Sequence, residues 1–502
     1  MHIGRLNLNW LLQRFDESLV PAVTTKPSSR GNHGWLPNWI TIPLFSAVLL
    51  IPCFWQSRIQ AADLSSHIYN AWLASRIRQG AAPGLWISPQ SNNVLFDLAL
   101  EWLLVRVGPD LAQRVAVSAS VLVFGWGAIQ FIFRVAGRNW PFAAPCVAML
   151  AYGFIFHMGF SNFYLSMGVC LWYLAIFWGR GWRTRVVASP LLILAWLAHP
   201  FAVVWAVGTA AYIAAANSVQ PRRRALLMVL GLAALATTRY ILTHQYSYSW
   251  SPQQVFFIMG ANQIELFGLK YVPPFAGLLL VWWILLRSLI KHFGLVHFFS
   301  AIPFQLWLLN AAAVLLIPDR VMFPQFGLPF GYITERLSLA AGLMMCAVVA
   351  AAHSTRVASV ALASLAVLFF GLLYTDSREL NQLEDRLDVA VARLPPAQRV
   401  ITSLRSQSLR SLCVQHDLDR ACIGHCFSYA NFEPSSRQFR VRALPGNGIA
   451  LDDYADVDAV AGGTYIVQPR DLPVYLVYLC GLDSRDVCSR PLQIGETSGK
   501  PN

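Results

Sequence analysis

Apolar runs of roughly 16 to 20 or more residues recur from Leu36 to Leu373. They constrain the fold more than any short motif does. A stretch of that length almost free of charge fits the hydrocarbon core of a bilayer. There, backbone groups have no water to bond, so the chain must be helical. The expectation is a polytopic α-helical membrane protein with about 11 transmembrane or half-spanning helices. Composition agrees: 56% of the 502 residues are hydrophobic and 13% are charged, against about 25% charged in soluble domains.

The spans read as 36–56, 115–133, 140–159, 162–178, 187–199, 200–216, 225–242, 275–290, 295–317, 337–353 and 357–374. About His199-Pro200 the apolar stretch is too short for two full spans. Two short helices meeting at "AHPF" are expected there, the second starting at Pro200. Three domains follow: a cytosolic N-terminal tail 1–35, a transmembrane domain 36–374 with a large first outer loop 57–114, and a soluble C-terminal domain 375–502. The N-terminal segment is too long and polar before its first apolar run to be a cleaved signal, so that run is expected to be an uncleaved anchor.

The formal charge of +13 is almost wholly Arg, since Lys occurs only at 26, 270, 291 and 500. Most basic residues of the membrane part sit in short loops, where topology explains them, so nucleic acid is excluded as a partner. Placing these loops inside puts the N-terminus in the cytosol and the C-terminus outside. Between Arg30 and Leu373 the acids are Asp63, Asp97, Glu101, Asp110, Glu265, Asp319 and Glu335, and all seven fall in the segments so assigned to the outside.

The tail reads as a small α/β domain. An amphipathic helix, "LNQLEDRLDVAVARL", precedes strands in "PPAQRVITSL", "RQFRVRAL", "GGTYIVQ" and "RPLQIGE", with "DLPVYLVYL" as a helix. Its cysteines fit an oxidising compartment. Cys480 with Cys488 is the easiest pair, then Cys413 with Cys422 or Cys426. A zinc site from those last three with His416 and His425 is the alternative, but the spacing is not a zinc-finger pattern. Cys53, Cys146, Cys170 and Cys346 lie in spans and read as packing residues.

Polar residues gather at one depth, the outer leaflet. In "AADLSSHIYNAWLASRIRQG", Asp63, His67 and Asn70 share one face of a helix expected to lie on the outer membrane surface. Asp63 either caps that helix or does chemistry. His157 and Asn162 flank the outer turn "HMGFSN", and His199 sits at the apex of the broken pair. Arg239 and His244 end a span; Asp319, Arg320, Glu335 and Arg336 bound an outer loop. Ionisable groups beside spans are expensive and are candidates for function. Arg can hold a phosphate and Asp can take a proton from an acceptor hydroxyl, which together describe group transfer from a lipid phosphate. The phosphate ligand expected first is Arg336, with Arg320 and Arg239 as rivals. Asn70, His157, Asn162, His199, His244 and Glu335 are the further substrate-contact candidates. Tyr246, Tyr248 and Trp250 read as interfacial belt or sugar-stacking residues.

The chain resembles the GT-C superfamily of membrane glycosyltransferases in "ADLSSHIYNAWLASRIRQGAAPGLW", in "NNVLFDLALEWLLVRVGPD" and in "LAWLAHPF". The resemblance implies a polyprenyl-phosphate-sugar donor and a lipid, glycan or protein acceptor. It implies a site at the outer, periplasmic face of a bacterial inner membrane. It makes Asp63 the acidic residue of the first loop, acting as base or metal ligand. Many members carry two acids close together there; here none follows Asp63 until Asp97. A divalent metal wants several oxygen ligands, so a metal-independent base is expected, with His67 orienting Asp63 or the sugar and no cofactor. Asp97 and Glu101, one turn apart, either fold back to help or solvate an interfacial helix. A transporter and a non-catalytic membrane scaffold are the readings from other classes.

Overall fold

The computed structural model describes residues 41–137, 140–178, 181–352, 355–402, 409–480 and 486–499. The expected tail 1–35, the start of the first span, Arg138 and Arg180 lie outside the described residues.

Helix α1 (Thr41–Phe54) leads to α2 (Ala62–Arg78) and strand β1 (Leu85–Ile87). Helix α3 (Leu95–Ala136) joins the second loop-one helix and the span expected at 115–133 into one element. It kinks at Gly108, whose φ of 77° suits only glycine, just before Pro109. Then come α4 (Trp140–Ala151), α5 (Phe154–His157), α6 (Ser161–Phe177), α7 (Trp182–Ala188), α8 (Pro190–Ala198), α9 (Pro200–Ser218) and α10 (Arg224–Gln245). His199 is extended between α8 and α9, as the residue before a proline prefers. The break falls where expected, but α9 has 19 residues and is not short.

Strand β2 (Ser247–Ser249) precedes α11 (Val272–Phe293), α12 (Leu295–Ser300) and α13 (Ile302–Leu316). Strand β3 (Arg320–Met322) pairs antiparallel with β2. Helices α14 (Ile333–Val349) and α15 (Arg356–Ala392) follow. The amphipathic helix expected to open the tail is the continuation of the last apolar run, in one 37-residue helix. Among the described residues, five helical stretches are long and apolar enough to cross a membrane: Leu95–Ala136, Pro200–Ser218, Pro221–Gln245, Leu269–Phe293 and Arg356–Ala392. Helix α10 has no buried residue and exposes Leu226, Val229, Leu230 and Ile241. Water would not tolerate so apolar an unpacked face, whereas lipid does. The chain is thus built as a helical membrane protein.

The tail comprises β4 (Arg399–Thr402), α16 (Leu409–Ala421), β5 (Phe427–Ser428), α17 (Phe432–Ser436), β6 (Val441–Ala443), α18 (Tyr454–Ala461), β7 (Val474–Leu479) and β8 (Val487–Pro491). A sheet in the order β5-β4-β7-β8 has β4 parallel to β5 and β7, with β8 antiparallel. The helix expected in "DLPVYLVYL" is instead strand β7. Its Val- and Tyr-rich run is inserted between two strands, where continuous hydrophobicity, not alternation, is the rule. "GGTYIVQ" forms only a bridge from Ile466 to Thr497.

Strand β6 does not join this sheet. It pairs with β1 of loop one, Leu85 opposite Ala443 and Ile87 opposite Val441. Helix α2 is correspondingly not a surface-lying helix. Leu64, Ile68, Tyr69 and Leu73 are at most 1% exposed, and each contributes ~1.5–3 kcal/mol by burial. Buried Arg420 of α16 reaches Ser65 Oγ at 2.5 Å, Gln113 Oε1 at 3.0 Å and Glu384 Oε1 at 3.1 Å. These contacts seat the tail on loop one and on α3 and α15. The disulfides are Cys480–Cys488, as expected, and Cys422–Cys426. Cys413 is a buried free thiol, correcting its expected pairing: both of its candidate partners, Cys422 and Cys426, are taken by each other.

Candidate functional site

Asp63 does not cap α2. The N-cap is Ala61, which makes no side-chain cap, and Asp63 sits in the first turn. Its backbone N–H donates to Met158 O at 3.1 Å, pinning α2 to the turn between α5 and α6. Gly159 makes that approach possible. Its φ is +76°, and a Cβ there would stand 2.5 Å from Asp63 N. The Asp63 side chain keeps about a fifth of its surface accessible, and it faces a cavity of about 880 Å³ between the membrane helices and the tail.

Burial raises the Asp63 pKa above the ordinary carboxylate range, while the charges of His416, His67 and Arg336 pull it back. Its closest basic group among the described residues is His416 Nε2 at 3.6 Å, and His416 Nδ1 lies 3.4 Å from Asp419 Oδ2. Burial works to lower the pKa of His416, but Asp419 and Asp63 raise it on balance. The tail thus supplies the imidazole beside Asp63, the place expected for His67.

His67 is held elsewhere. Its Nδ1 lies 2.7 Å from Asp97 Oδ1 and 3.6 Å from Glu433 Oε1. Burial alone would lower its pKa, but the Asp97 and Glu433 carboxylates outweigh burial and lift it to about 9. At neutral pH it is a cation in the cavity wall. Burial pushes Glu433 itself up to about 8. Asn162 Nδ2 donates to Asp97 Oδ2 at 2.7 Å, and Asn162 Oδ1 accepts from Phe96 N–H at 2.9 Å. Asp97 therefore folds back as a support for His67. Glu101 neither solvates a surface helix nor reaches the cavity. It is clamped between Arg78 at 2.8 Å and Arg440 at 2.5 Å.

Arg336 lines the same cavity, buried in an aromatic cage. Its guanidinium lies 4.3 Å from the ring centre of Phe160 and 5.0 Å from that of Phe330. Nη1 donates to Gly331 O at 2.5 Å, and Nε has no partner among the described residues. Arg320 is also in the wall, over Tyr332 and 3.4 Å from Asp319. His199 Nδ1 accepts from Phe201 N–H at 3.2 Å, so a neutral His199 carries its proton on Nε2.

The cavity brings together Asp63, His67, Asn162, His199, Arg320 and Arg336 of the sequence candidates. It does not include the others. Asn70 is buried between Ser66 and Asn431 of the tail. His157 donates from Nδ1 to Gln60 O at 2.9 Å behind α2. Arg239 donates to Leu316 O, and His244 sits exposed against Tyr240. Glu335 lies against Asp319 outside the wall. Sequence reasoning missed His416 as a partner of Asp63, and Asp419, Glu433 and Tyr454 altogether. The one available signal was His416 and Asp419 at i, i+3 in "VQHDLDRA". No three His, Cys, Asp or Glu converge as metal ligands among the described residues. Comparison with protein-family models, curated proteins and solved structures returns no match to this chain.

Proposed function

We propose that the chain is a GT-C-like glycosyltransferase moving a sugar from a polyprenyl-phosphate donor to an acceptor hydroxyl at the outer face of a membrane. The observation that carries this reading is one cavity wall holding an accessible carboxylate, Asp63, with two guanidinium groups, Arg336 and Arg320. The Arg336 and Asp63 charges are close enough to perturb each other, yet His416 is the only basic group within 4 Å of Asp63 among the described residues. A base needs that freedom.

In this reading Asp63 takes the proton of the acceptor hydroxyl as its oxygen attacks the anomeric carbon. The bond from that carbon to the phosphate oxygen breaks, and polyprenyl phosphate leaves. Arg336 and Arg320 stabilise its charge, helped by cationic His67. The raised pKa of Asp63 makes it a stronger base than an exposed carboxylate. The N-inside, C-outside orientation and the eleven-segment count belong to the same proposal, as does a bacterial inner-membrane location.

The test is release of polyprenyl phosphate from polyprenyl-phosphate hexoses and pentoses by the purified protein in liposomes, with membrane extract as acceptor. Wild type should release it, and Asp63→Asn should lower the rate by at least about 100-fold. Release by both proteins alike would remove Asp63 from the reaction. No release from donors that demonstrably bind would sink the transferase reading, and transport assays would take its place.

A further inference from the structure

The cavity has two unlike walls. The membrane side carries Arg320 and Arg336. The tail side carries no Arg or Lys among the described residues; its ionisable groups are His416, Tyr454 and Asp458. Its one basic side chain among the described residues, His416, already faces Asp63 and Asp419.

The tail side is also where the parallel strands end. Thr402 is the last residue of β4 and Ser428 the last of β5, and both line the cavity. Crevices at the carboxyl ends of parallel strands are where α/β domains bind ligands. Ser428 Oγ is already engaged, donating to Asp419 Oδ1 at 2.5 Å. Thr402 is not. It is 9% exposed, and its Oγ1 has no hydrogen-bond partner among the described residues. A buried hydroxyl left unmatched among the described residues leaves one hydrogen bond open beside this wall. Asp458 is exposed on α18, and Tyr454 lies one turn before it. A hydroxyl, a carboxylate and a phenol, with the ring of Phe432 nearby, form the donor, acceptor and flat apolar surfaces that a sugar requires.

We infer that the tail-side wall is a binding site for a neutral polyhydroxylated chain, a glycan, recognised by Thr402, Asp458 and Tyr454. That the glycan is the acceptor rests on the glycosyl-transfer reading; that it binds here does not. Bound there, its terminal hydroxyl faces Asp63 across the cavity while the donor phosphate lies on the arginine wall.

The experiment uses the full chain in nanodiscs and four neutral trisaccharides of gluco, manno, galacto and arabino configuration, read by saturation-transfer NMR. At least one should bind. Thr402→Val and Asp458→Asn should each weaken it about 3- to 10-fold, the weight of one hydrogen bond. Removing an unmatched buried hydroxyl should leave the melting temperature of Thr402→Val unchanged or higher. Binding of none of the four, or equal binding by wild type and both variants, overturns the inference. So does a fall in melting temperature for Thr402→Val, which would show the hydroxyl to be matched inside the fold. Asp63→Asn should bind the trisaccharide like wild type. Trisaccharide binding that weakens with Thr402→Val, in a protein that releases no polyprenyl phosphate, would keep the glycan site and discard the transferase reading.

Discussion

Replacing Asp97 by Asn should remove a stabilisation that weakens as pH rises. His67 is raised from 6.5 to about 9, chiefly by Asp97 acting against burial. That rise corresponds to ~3 kcal/mol of preference for the charged ring in the folded state. Both side chains are under 10% exposed, so solvent screening removes little of it. Because the folded pKa lies above the unfolded one, the contribution is fully present below about pH 6.5. It falls to ~2 kcal/mol near pH 7.4 and vanishes as pH rises through about 9. The amide introduced by Asp97→Asn keeps a carbonyl to accept from Asn162, so the 2.7 Å contact there does not contribute to the difference. The assay is thermal unfolding of wild type and Asp97→Asn in the same detergent at pH 6 and pH 10. The gap in melting temperature should be wide at pH 6 and close by pH 10. Histidine side-chain NMR should show His67 titrating near 9 in wild type and near or below 6.5 in the variant. An equal gap at both pH values, or a wild-type His67 that titrates near 6.5, would refute the reasoning.

Two further substitutions test how the site is held. Arg440→Met leaves Glu101 buried with only the outlying Arg78 as partner, a loss of ~3–5 kcal/mol; adding Glu101→Gln should restore much of the melting temperature, and no restoration would show that the charge pair is not the cause. Gly159→Ala drives a Cβ to 2.5 Å from Asp63 N at a φ of +76°, which costs ~1–3 kcal/mol in strain and moves Asp63. Polyprenyl phosphate release should drop at least about tenfold, the kinetic counterpart of ~1.4 kcal/mol, and wild-type rates with wild-type stability would contradict the role given to that turn.

The helical membrane class was legible because bilayer thickness writes a length into the sequence. Asp63, His67, Asn162, His199, Arg320 and Arg336 were legible because charge beside an apolar run is unusual enough to need a reason. Their division of labour was not. His416 lies 353 positions from Asp63 and in another domain, and a side chain facing inward from a tail helix leaves no periodic trace. Asp97 and Glu101 share a helix face and similar spacing from the spans, yet one supports His67 and the other is clamped by Arg78 and Arg440. That difference depends on where Arg440 arrives. Strand β7 was misread for a related reason: a short apolar run has no period until its neighbours are known. Cys413 illustrates the same limit, since its candidate partners were consumed locally by a contact of only four positions.

The pairing of β1 with β6 also acts as an arithmetic rule. Two strands bonded edge to edge must lie on the same side of any membrane, so the chain between Ile87 and Val441 crosses an even number of times. The ten apolar segments read between them satisfy that parity. A re-entrant helix counted as a span, or a span overlooked, breaks it unless a second error compensates. Whatever revision the count undergoes, it changes by two, and loop one and the tail remain neighbours in the same compartment.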